Sequence, residues 1–557
     1  MEHLLVIGGV ASGTKAGLKA KRENPDMDVT IITDEEFISY AACGIPYYLG
    51  GEVKDYEELI IKSPFELKTM FDINILTKHR AVEVNPKQKK IKAINLVNNT
   101  TIEIEYDILV IATGASPLVP PNLKLDAPNM FTVRSVSDAI KLSDYMKNNQ
   151  VRSAAIVGGG FIGLEIAENL AKSHMDVSII ELQDHILPNF DNEIALNIEK
   201  YIKSKGISVL TNDQITEVIT DDKGFIRQLK TTKRIIDTDL LIVSIGVRPN
   251  TGFLEGTEIK LTDRGAVEVD PFMETNIPDI YAVGDCVQSR NMLSGMSGFY
   301  PMGSTANKMG RICGNNIAAD WEMSFKGVLG TVIMRFFDLN IAKTGLSEFE
   351  ADRLGYDIET ILITTDDKPK YFPGSNRTTI KLIAKREGQD YILIGGQVFG
   401  KGPSDKYVDT IATAVYFKSS VEDLINIDLA YSPVFSTPIG AVSLAAIVFN
   451  NKVQGKFNTI SSTKFQSIKD NSEYILIDTR DEDEFDLMLI PGSKNIPLTE
   501  IKTRYAEIDM NKEVILICDI AKRAYLASRI LSSLGFKKLW VLEGGIEAYP
   551  YELTSNY

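Results

Sequence analysis

The segment Ala154-Ala155-Ile156-Val157-Gly158-Gly159-Gly160-Phe161-Ile162-Gly163 decides the fold of this chain. Four apolar residues, typical of a buried parallel strand, end in a glycine-rich turn. Leu164 to Ser173 then has the pattern of a helix, and Val177 to Ile180 that of the next strand. The segment therefore predicts a βαβ unit of the kind that binds a dinucleotide.

The glycines of this turn and one acidic residue predict which dinucleotide binds. Gly158, Gly160 and Gly163 allow a tight turn and let backbone N–H groups approach a pyrophosphate at the helix N-terminus. Glu181, at the end of the next strand, can accept hydrogen bonds from an adenosine ribose and would repel a 2′-phosphate. We therefore expect NADH, with NADPH as the alternative.

A second, less regular unit opens the chain. His3 to Gly9 predicts a strand and turn, with Gly8 and Gly13 at the outer glycine positions. Thr33 stands where the acidic residue is expected, and Asp34 follows it. Three further apolar strands end in small residues, so a second dinucleotide site is predicted. Its candidate residues are Gly8, Gly13, Thr33, Asp34, Ala112, Thr113, Gly114, Gly246, Gly284 and Asp285, with a helix cap as the alternative role of Asp285.

Composition excludes several classes of function. The chain has 557 residues, which predicts about three to five domains, and 75 acidic against 60 basic residues give a net charge of −15. Such acidity argues against nucleic-acid and anionic-membrane partners. The apolar stretch from Gly440 to Phe449 is too short to span a bilayer, and the N-terminus lacks a signal peptide, so a cytoplasmic protein is expected. Four scattered cysteines and four histidines predict no disulfide framework and no metal site.

Two of the cysteines are candidate nucleophiles. Cys43 precedes Gly44-Ile45-Pro46, and because proline suits a first helical turn, we expect its thiolate to be stabilised by a helix N-terminus. Cys518 ends an apolar strand, where a loop that includes Lys522 and Arg523 can surround a thiolate or persulfide with backbone N–H groups. For each cysteine, the alternative is a structural role in the core.

These motifs together resemble a known family. Residues 1 to about 450 resemble the flavin-dependent pyridine nucleotide–disulfide oxidoreductases, and more narrowly the single-cysteine branch that includes coenzyme A-disulfide reductase. Residues from about 460 to 557 resemble a rhodanese domain. The fusion resembles coenzyme A-disulfide reductase–rhodanese proteins, some of which are NADH-dependent persulfide reductases.

The resemblance implies an α/β fold with four domains. Two Rossmann-like domains would bind FAD (1–115 and 250–325) and NAD(P)H (116–249). An α+β dimerisation domain (326–449), a linker (450–460) and a rhodanese-like α/β domain (461–557) would follow. A homodimer with shared active sites, and a small-molecule sulfur substrate, are implied as well.

The resemblance also assigns roles to residues. Cys43 would be the redox cysteine beside the flavin, with Tyr371 and Tyr431 of the partner subunit at the substrate sulfur. Cys518 and Arg523 would form the rhodanese active-site loop, in which Ala521 stands where glycine is usual. The family usually has asparagine at Ala42 and Lys-Asp at Ile439-Gly440. Residues implied in binding coenzyme A are Lys15, Lys19, Arg22, Ser39, Asn307 and Lys308.

The sequence thus predicts an enzyme that uses FAD and NAD(P)H to reduce a persulfide or polysulfide, such as coenzyme A persulfide, or coenzyme A disulfide, with sulfane sulfur relayed by Cys518. One alternative is an NADH oxidase or peroxidase that uses Cys43 as a sulfenic acid, although the first glycine loop lacks the histidine usual in those relatives. Another is a non-catalytic sulfur carrier or redox sensor.

Overall fold

The computed structural model describes residues 2–123 and 126–557. The chain forms two compact units, one of residues 1–184 and 206–328 and the other of residues 185–205 and 329–557. The predicted division into FAD, NAD(P)H, dimerisation and rhodanese-like domains is finer than these two units and stays a prediction. Among the described residues, every helix is too short or too polar to cross a bilayer.

The first unit contains a parallel five-stranded sheet at the start of the chain. Its central strand is buried because four successive apolar residues pack against layers on both faces. The first helix begins at Ala11, directly after the glycine turn that follows the central strand. The strands, in spatial order, are β18 (Ile280–Ala282), β7 (Ile108–Ile111), β1 (His3–Ile7), β2 (Asp28–Ile32) and β3 (Ile73–Leu76), and the helices are α1 (Ala11–Glu23), α2 (Ile45–Leu49), α3 (Pro64–Phe71) and α7 (Gly303–Ala318).

A second parallel five-stranded sheet follows in the same unit. The quoted segment forms its central strand and the start of the helix behind it, as the sequence predicts. The strands, in spatial order, are β12 (Ser208–Leu210), β11 (Asp176–Ile180), β10 (Ser153–Val157), β16 (Leu240–Val243) and β9 (Met130–Thr132), and the helices are α4 (Val136–Asn148) and α5 (Phe161–Lys172).

Small antiparallel sheets complete the first unit. They are β4–β5–β6 (His79–Asn85, Lys90–Asn95 and Thr101–Glu105), β13–β14–β15 (Ile215–Thr220, Ile226–Thr231 and Ile235–Asp237), β8 with β17 (Ala115–Pro117 and Val247–Pro249), and β19 with β20 (Ser289–Arg290 and Ser297–Gly298).

The second unit contains an antiparallel five-stranded sheet. The middle residues of its two longest strands are buried without interruption, so both faces of the sheet are covered there. The strands, in spatial order, are β21 (Val332–Phe336), β22 (Leu339–Gly345), β25 (Asp390–Gly400), β24 (Arg377–Glu387) and β23 (Ile358–Asp366), and the helices are α6 (Asn192–Ser204), α8 (Glu348–Arg353), α9 (Ser404–Tyr416), α10 (Val421–Asn426) and α11 (Ala441–Val453).

A parallel five-stranded sheet closes the chain within the second unit. Three of its strands are short, apolar and largely buried, and helices lie between them in the chain, so the predicted α/β fold class is confirmed. The strands, in spatial order, are β26 (Asn458–Ile460), β30 (Leu539–Leu542), β29 (Glu513–Ile517), β27 (Tyr474–Asp478) and β28 (Lys494–Asn495), and the helices are α12 (Ser462–Ile468), α13 (Glu482–Leu487), α14 (Ile501–Arg504) and α15 (Lys522–Ser533).

The polar segment that the sequence assigns to a linker is largely regular. Helix α11 extends to Val453, and β26 begins at Asn458. The reason is Lys452, whose ammonium group donates to the Thr360 carbonyl (2.8 Å) and pairs with Glu359 (2.9 Å) and Glu543 (3.2 Å). Its charge therefore joins β23, α11 and the turn after β30 instead of facing solvent.

A buried lysine ties α6 to the antiparallel sheet. Lys381, in the middle of β24, is about 1% exposed, and its Nζ lies 2.5 Å from Glu193 Oε1, 2.9 Å from Asp191 Oδ2 and 2.5 Å from Glu348 Oε2. The three carboxylates hold the pKa of Lys381 well above its usual value, whereas burial raises the pKa of Glu193. Lys381 is thus the counter-ion on which three acidic groups depend.

We expect Lys381→Met to destabilise the second unit by about 3–5 kcal/mol, because it leaves buried carboxylates without a cation. A carboxyl group whose pKa is higher in the folded protein takes up a proton on folding, so the variant should regain stability as the pH falls towards 5. Urea unfolding at pH 8 and pH 5 measures both effects. Lys385→Met, on the same strand but beside the exposed Glu387, is the control, and equal losses in the two variants would contradict the prediction.

Candidate active sites

The turn after β10 has no room for side chains at two of its glycines. Gly158 has φ +108°, and a Cβ built there would stand 2.3 Å from the Ser244 carbonyl oxygen. A Cβ on Gly163 would stand 2.1 Å from the carbonyl oxygen of Gly158. The equivalent position on Gly160 faces open space at the N-terminus of α5, which is where a pyrophosphate binds in such turns.

Glu181 directly follows β11 and lies beside this turn. Its Oε2 accepts a hydrogen bond from Gly159 N (2.7 Å), and its Oε1 accepts one from Gln183 N (2.8 Å). The backbone therefore fixes a carboxylate at the sheet edge where a ribose would lie. The open glycine turn and this carboxylate fit NAD(H).

The turn after β1 has the same construction. Gly8 has φ +118°, and its Cβ would stand 2.0 Å from the Ala112 carbonyl oxygen, while a Cβ on Gly13 would stand 1.9 Å from the Gly8 carbonyl oxygen. Gly114, which follows β7, faces open space. Thr113, the residue before Gly114, is fixed in place because its hydroxyl donates to the Asn250 carbonyl (2.7 Å). The cradle fits a second dinucleotide such as FAD.

The end of β2 presents a carboxylate that the sequence analysis missed. Asp34 pairs with Arg80 at the surface (3.2 Å), and Thr33 Oγ1 accepts from Glu35 N. Glu35 is the less exposed carboxylate, and burial, followed by the charge of Asp34, raises its pKa to about 7. Glu35 stands three residues after β2, and this position next to Thr33 and Asp34 is the signal in the sequence that points to it.

Asp285 meets a cation that the sequence analysis did not consider. Its Oδ2 lies 2.5 Å from Nη2 of Arg134, the residue before the N-cap of α4. Gly284 has φ +84° and approaches Ser12 of α1, and Gly246 has φ +117°. Asp285, a candidate residue of the second dinucleotide site, thus has a fixed partner, and the sequence around Arg134 contains no motif that predicts this ion pair.

Cys43 lies in a 3₁₀ turn, Ala42–Gly44, immediately before α2. Its side chain is exposed, and its Sγ is 3.9 Å from the position that a Cβ on Gly303 would take. Gly303 is the first residue of α7, a helix of 16 residues. The thiol therefore stands near the N-terminus of a long helix in addition to the single turn of α2.

Opposing effects act on the pKa of the Cys43 thiol. Partial burial of the sulfur and then the charge of Glu165 raise its pKa, while Arg134 lowers it. Burial also raises the pKa of Glu165 itself to about 7. Cys286 and Cys313 are buried, and burial raises their pKa as well, in agreement with a structural role.

The residues implied in binding coenzyme A lie on α1, α7 and the loop after β2. Lys19 is mostly buried and pairs with Glu23 on its own helix. Arg22 is exposed, with its guanidinium carbon 5.9 Å from the centre of the Phe71 ring. The backbone N–H of Ser39 donates to Gly9 O. Lys15 is partly exposed, and Asn307 and Lys308 are exposed.

The two candidate tyrosines lie in loops of the second unit. Tyr371 is 75% exposed, in the loop between β23 and β24. Tyr431 is half-exposed and lines a cavity of about 630 Å³ with Lys368, Lys406 and Phe435. Both phenols are thus available to a molecule from outside this unit.

Cys518 is held at the end of β29 by the loop that the sequence predicts. Ala524 N donates to its Sγ (3.4 Å), and backbone N–H groups of Ile520 and Arg523 lower its pKa. Burial raises the pKa by more, so the net shift of the pKa is upward. Desolvation outweighs the backbone donors because the thiol is about 1% exposed.

Two ion pairs surround this loop. Nε and Nη2 of Arg480 both donate to the Asp478 carboxylate. Arg523 pairs with Glu484, at 2.5 and 2.7 Å. Ala521, where glycine is usual in the resembling family, has φ +69° and keeps the left-handed turn. Among the described residues, no group of three potential metal ligands occurs here or elsewhere.

The chain belongs to the pyridine nucleotide-disulphide oxidoreductase family. That family matches residues 2–300, its dimerisation domain matches residues 331–441, and a rhodanese-like domain matches residues 461–550. The chain is therefore an oxidoreductase of a family that binds FAD and NAD(H), and both cofactor predictions are confirmed.

Similar proteins narrow this assignment. A NAD-dependent persulfide reductase from A. fulgidus is 33% identical, with a TM-score of 0.93, and 98% of this chain and 100% of that one are covered. CoADR-RHD from Bacillus anthracis is 30% identical, with a TM-score of 0.92, over 98% and 97% of the two chains. An NADH oxidase from Methanocaldococcus jannaschii is 32% identical over 79% of this chain and 97% of its own.

We expect Glu165→Gln to make Cys43 alkylate about threefold faster at pH 8. Removing a carboxylate that is charged above pH 7 favours the thiolate, so the pKa of Cys43 should fall. Iodoacetamide labelling, read on the Cys43 peptide by mass spectrometry, measures the rate. Glu103→Gln, an exposed carboxylate on β6, is the control, and the prediction fails if the two variants react equally fast.

Replacement of Glu181 tests the nucleotide preference. We expect Glu181→Ala to lower kcat/KM for NADH about tenfold and to narrow the preference over NADPH, because the ribose loses its acceptor and a 2′-phosphate loses a repulsive charge. Anaerobic rates with each nucleotide at several concentrations give the ratio. An unchanged ratio would remove Glu181 from the site.

Proposed function

We propose that this protein uses NADH to reduce a persulfide or polysulfide, with coenzyme A persulfide as the leading substrate, or to reduce coenzyme A disulfide. The observation that carries the proposal is the presence, in one chain, of a lone exposed thiol at Cys43 and a rhodanese-type loop around Cys518. Two solved structures that cover 98% of the chain are named a persulfide reductase and CoADR-RHD.

Each cofactor has residues to hold it. Gly8, Gly13 and Gly114 would receive the FAD pyrophosphate, and Asp285 its ribityl chain. Gly158, Gly160 and Glu181 would hold NADH. When both are bound, they supply the two electrons that cleave a disulfide formed on Cys43.

Cys43 performs the sulfur chemistry. Its thiolate attacks the carbon-bonded sulfur of a persulfide R–S–SH, so that Cys43–S–S–R forms and hydrosulfide leaves. Arg134 favours the attacking thiolate, whereas the charge of Glu165 disfavours it. Tyr371 and Tyr431 of the partner subunit of a homodimer protonate or orient the leaving sulfur.

Cys518 supplies sulfur to this reaction. Its thiolate takes a sulfane sulfur atom from a donor, and the resulting persulfide is stabilised by the backbone N–H groups of its loop and by Arg523. A mobile thiol such as coenzyme A then removes the sulfur and becomes the persulfide that Cys43 reduces. Lys15, Arg22, Asn307 and Lys308 would pair with the polar groups of that carrier.

One observation favours a second candidate function. The Methanocaldococcus relative is named an NADH oxidase, and an oxidase would use Cys43 as a sulfenic acid. Its match covers 79% of this chain, whereas the persulfide reductase match covers 98%. The rhodanese-like domain has no role in oxygen chemistry, so we place the oxidase second.

The test is anaerobic NADH oxidation by the flavin-loaded protein with coenzyme A persulfide and coenzyme A disulfide at equal concentration. We expect faster turnover with the persulfide, release of sulfide, and loss of at least 100-fold in Cys43→Ser, since the nucleophile is gone. Cys518→Ser should keep this activity but lose sulfur uptake from thiosulfate.

Other outcomes would exclude the proposal. Sulfur-dependent turnover that survives Cys43→Ser would remove that thiol from the reaction. Rapid oxygen consumption with NADH, together with no reaction with either sulfur compound, would favour the oxidase. NADH consumption that stops at one equivalent of enzyme would indicate a carrier or sensor.

A further inference from the structure

An arginine of the antiparallel sheet contacts the loop that holds Cys518. Arg377, the first residue of β24, donates from Nη2 to Asp519 Oδ2 at 2.7 Å. Its Nη1 lies 3.3 Å from Oδ1 of Asp366, the last residue of β23. Asp519 follows Cys518 directly, so a side chain from within the dimerisation-domain match reaches the sulfur-transfer loop of the rhodanese-like domain.

The backbone of the same loop is fixed by the turn after β30. Ile546 N donates to Cys518 O (2.9 Å), and Glu547 N donates to Asp519 O (3.1 Å). A Cβ on Gly545 would stand 2.3 Å from Asp519 O, so glycine is needed for this approach. These bonds hold the loop carbonyls, whereas Arg377 holds the Asp519 side chain.

The loop needs such support because of its own conformation. Ala521 has φ +69°, a left-handed geometry that is disfavoured for every residue with a Cβ. The backbone N–H groups of Ile520, Arg523 and Ala524 face the sulfur only while this geometry is kept. Contacts from outside the loop therefore maintain the anion-binding arrangement.

Charge gives Arg377 a second role. Three ion pairs surround Cys518, and Lys522 begins the helix that follows its loop. In each pair an arginine compensates a carboxylate, and without Arg377 the carboxylate next to Cys518 in the chain would oppose the thiolate. The pairs are Asp478–Arg480, Glu484–Arg523 and Asp519–Arg377.

We propose that Arg377 is a positioning residue for sulfur transfer at Cys518, which it serves by fixing Asp519 and compensating its charge. This inference rests on the proposed role of Cys518 as a carrier of sulfane sulfur. In the first step of the transfer, the Cys518 thiolate takes one sulfur atom from thiosulfate and releases sulfite. Cyanide then removes that sulfur atom as thiocyanate and restores the thiolate. The sulfurtransferase reaction thus depends on a residue of the reductase part of the chain.

The experiment compares Arg377→Gln, Asp519→Asn and the double variant in the full-length, flavin-loaded protein. Arg386→Gln, an exposed arginine on the same strand, is the matched control. The first readout is the rate of iodoacetamide alkylation of Cys518 from pH 6 to 10, measured on its peptide by mass spectrometry, with the Cys43 peptide as an internal reference. The second is thiosulfate–cyanide sulfur transfer.

In Arg377→Gln we expect alkylation of Cys518 and sulfur transfer to slow about fivefold at pH 8, with the pH profile displaced to higher pH. The double variant should recover most of both rates, because the uncompensated carboxylate next to Cys518 in the chain is gone. The Cys43 peptide and Arg386→Gln should behave as in the wild type.

Two results would overturn the inference. One is a wild-type pH profile in Arg377→Gln, and the other is a double variant as slow as the single one, which would indicate lost packing and not lost charge compensation. If wild-type Cys518 alkylates but transfers no sulfur, the proposed carrier function fails, while the alkylation profiles still decide whether Arg377 positions the loop.

Discussion

The close approach of backbone atoms at two glycine turns is the constraint on which the first unit depends. At Gly8 and Gly158, a Cβ would stand 2.0 and 2.3 Å from carbonyl oxygens of the strand-end segments at Ala112 and Ser244. A larger residue would push a neighbouring strand end away from the turn, and with it the start of the following helix. The same contacts that close each sheet therefore expose the backbone N–H groups that receive a pyrophosphate, so folding and cofactor binding have one origin.

This constraint is local in sequence, which explains why the fold could be predicted. The strand, turn, helix and acidic residue of a βαβ unit lie within about 30 residues of one another, so one local sequence pattern predicts the whole unit. The rhodanese loop is likewise local, because Cys518 and the N–H group of Ala524 are separated by six residues. Segments of this kind were placed correctly, with differences of a few residues at helix ends.

The electrostatics of the sites could not be predicted in the same way. The pKa of Cys43 depends on burial, Glu165 and Arg134, and that of Cys518 depends on how completely its loop excludes water. The groups that act on Cys43 come from distant parts of the chain. In the same way, Glu193, a partner of Lys381, lies 188 residues from it in the sequence. The position of a helix in the sequence gives the sign of its own contribution to a thiol pKa. The net shift of that pKa is a sum over neighbours that only the tertiary structure brings together.

The environments of the two cysteines imply a division of labour. Cys43 is exposed, so it can meet a large disulfide or persulfide, whereas Cys518 is about 1% exposed at the bottom of its loop. A buried thiol whose pKa is raised by desolvation needs compensating donors at the moment of reaction, and small anionic sulfur donors suit a site lined by N–H groups and Arg523. Because the loop is held by Gly545 and by Arg377, its geometry depends on β24 and on the turn after β30 together. Arg377 lies within the match to the dimerisation domain and Asp519 within the rhodanese-like match, so the first of these segments supplies a side-chain contact to the loop of the second.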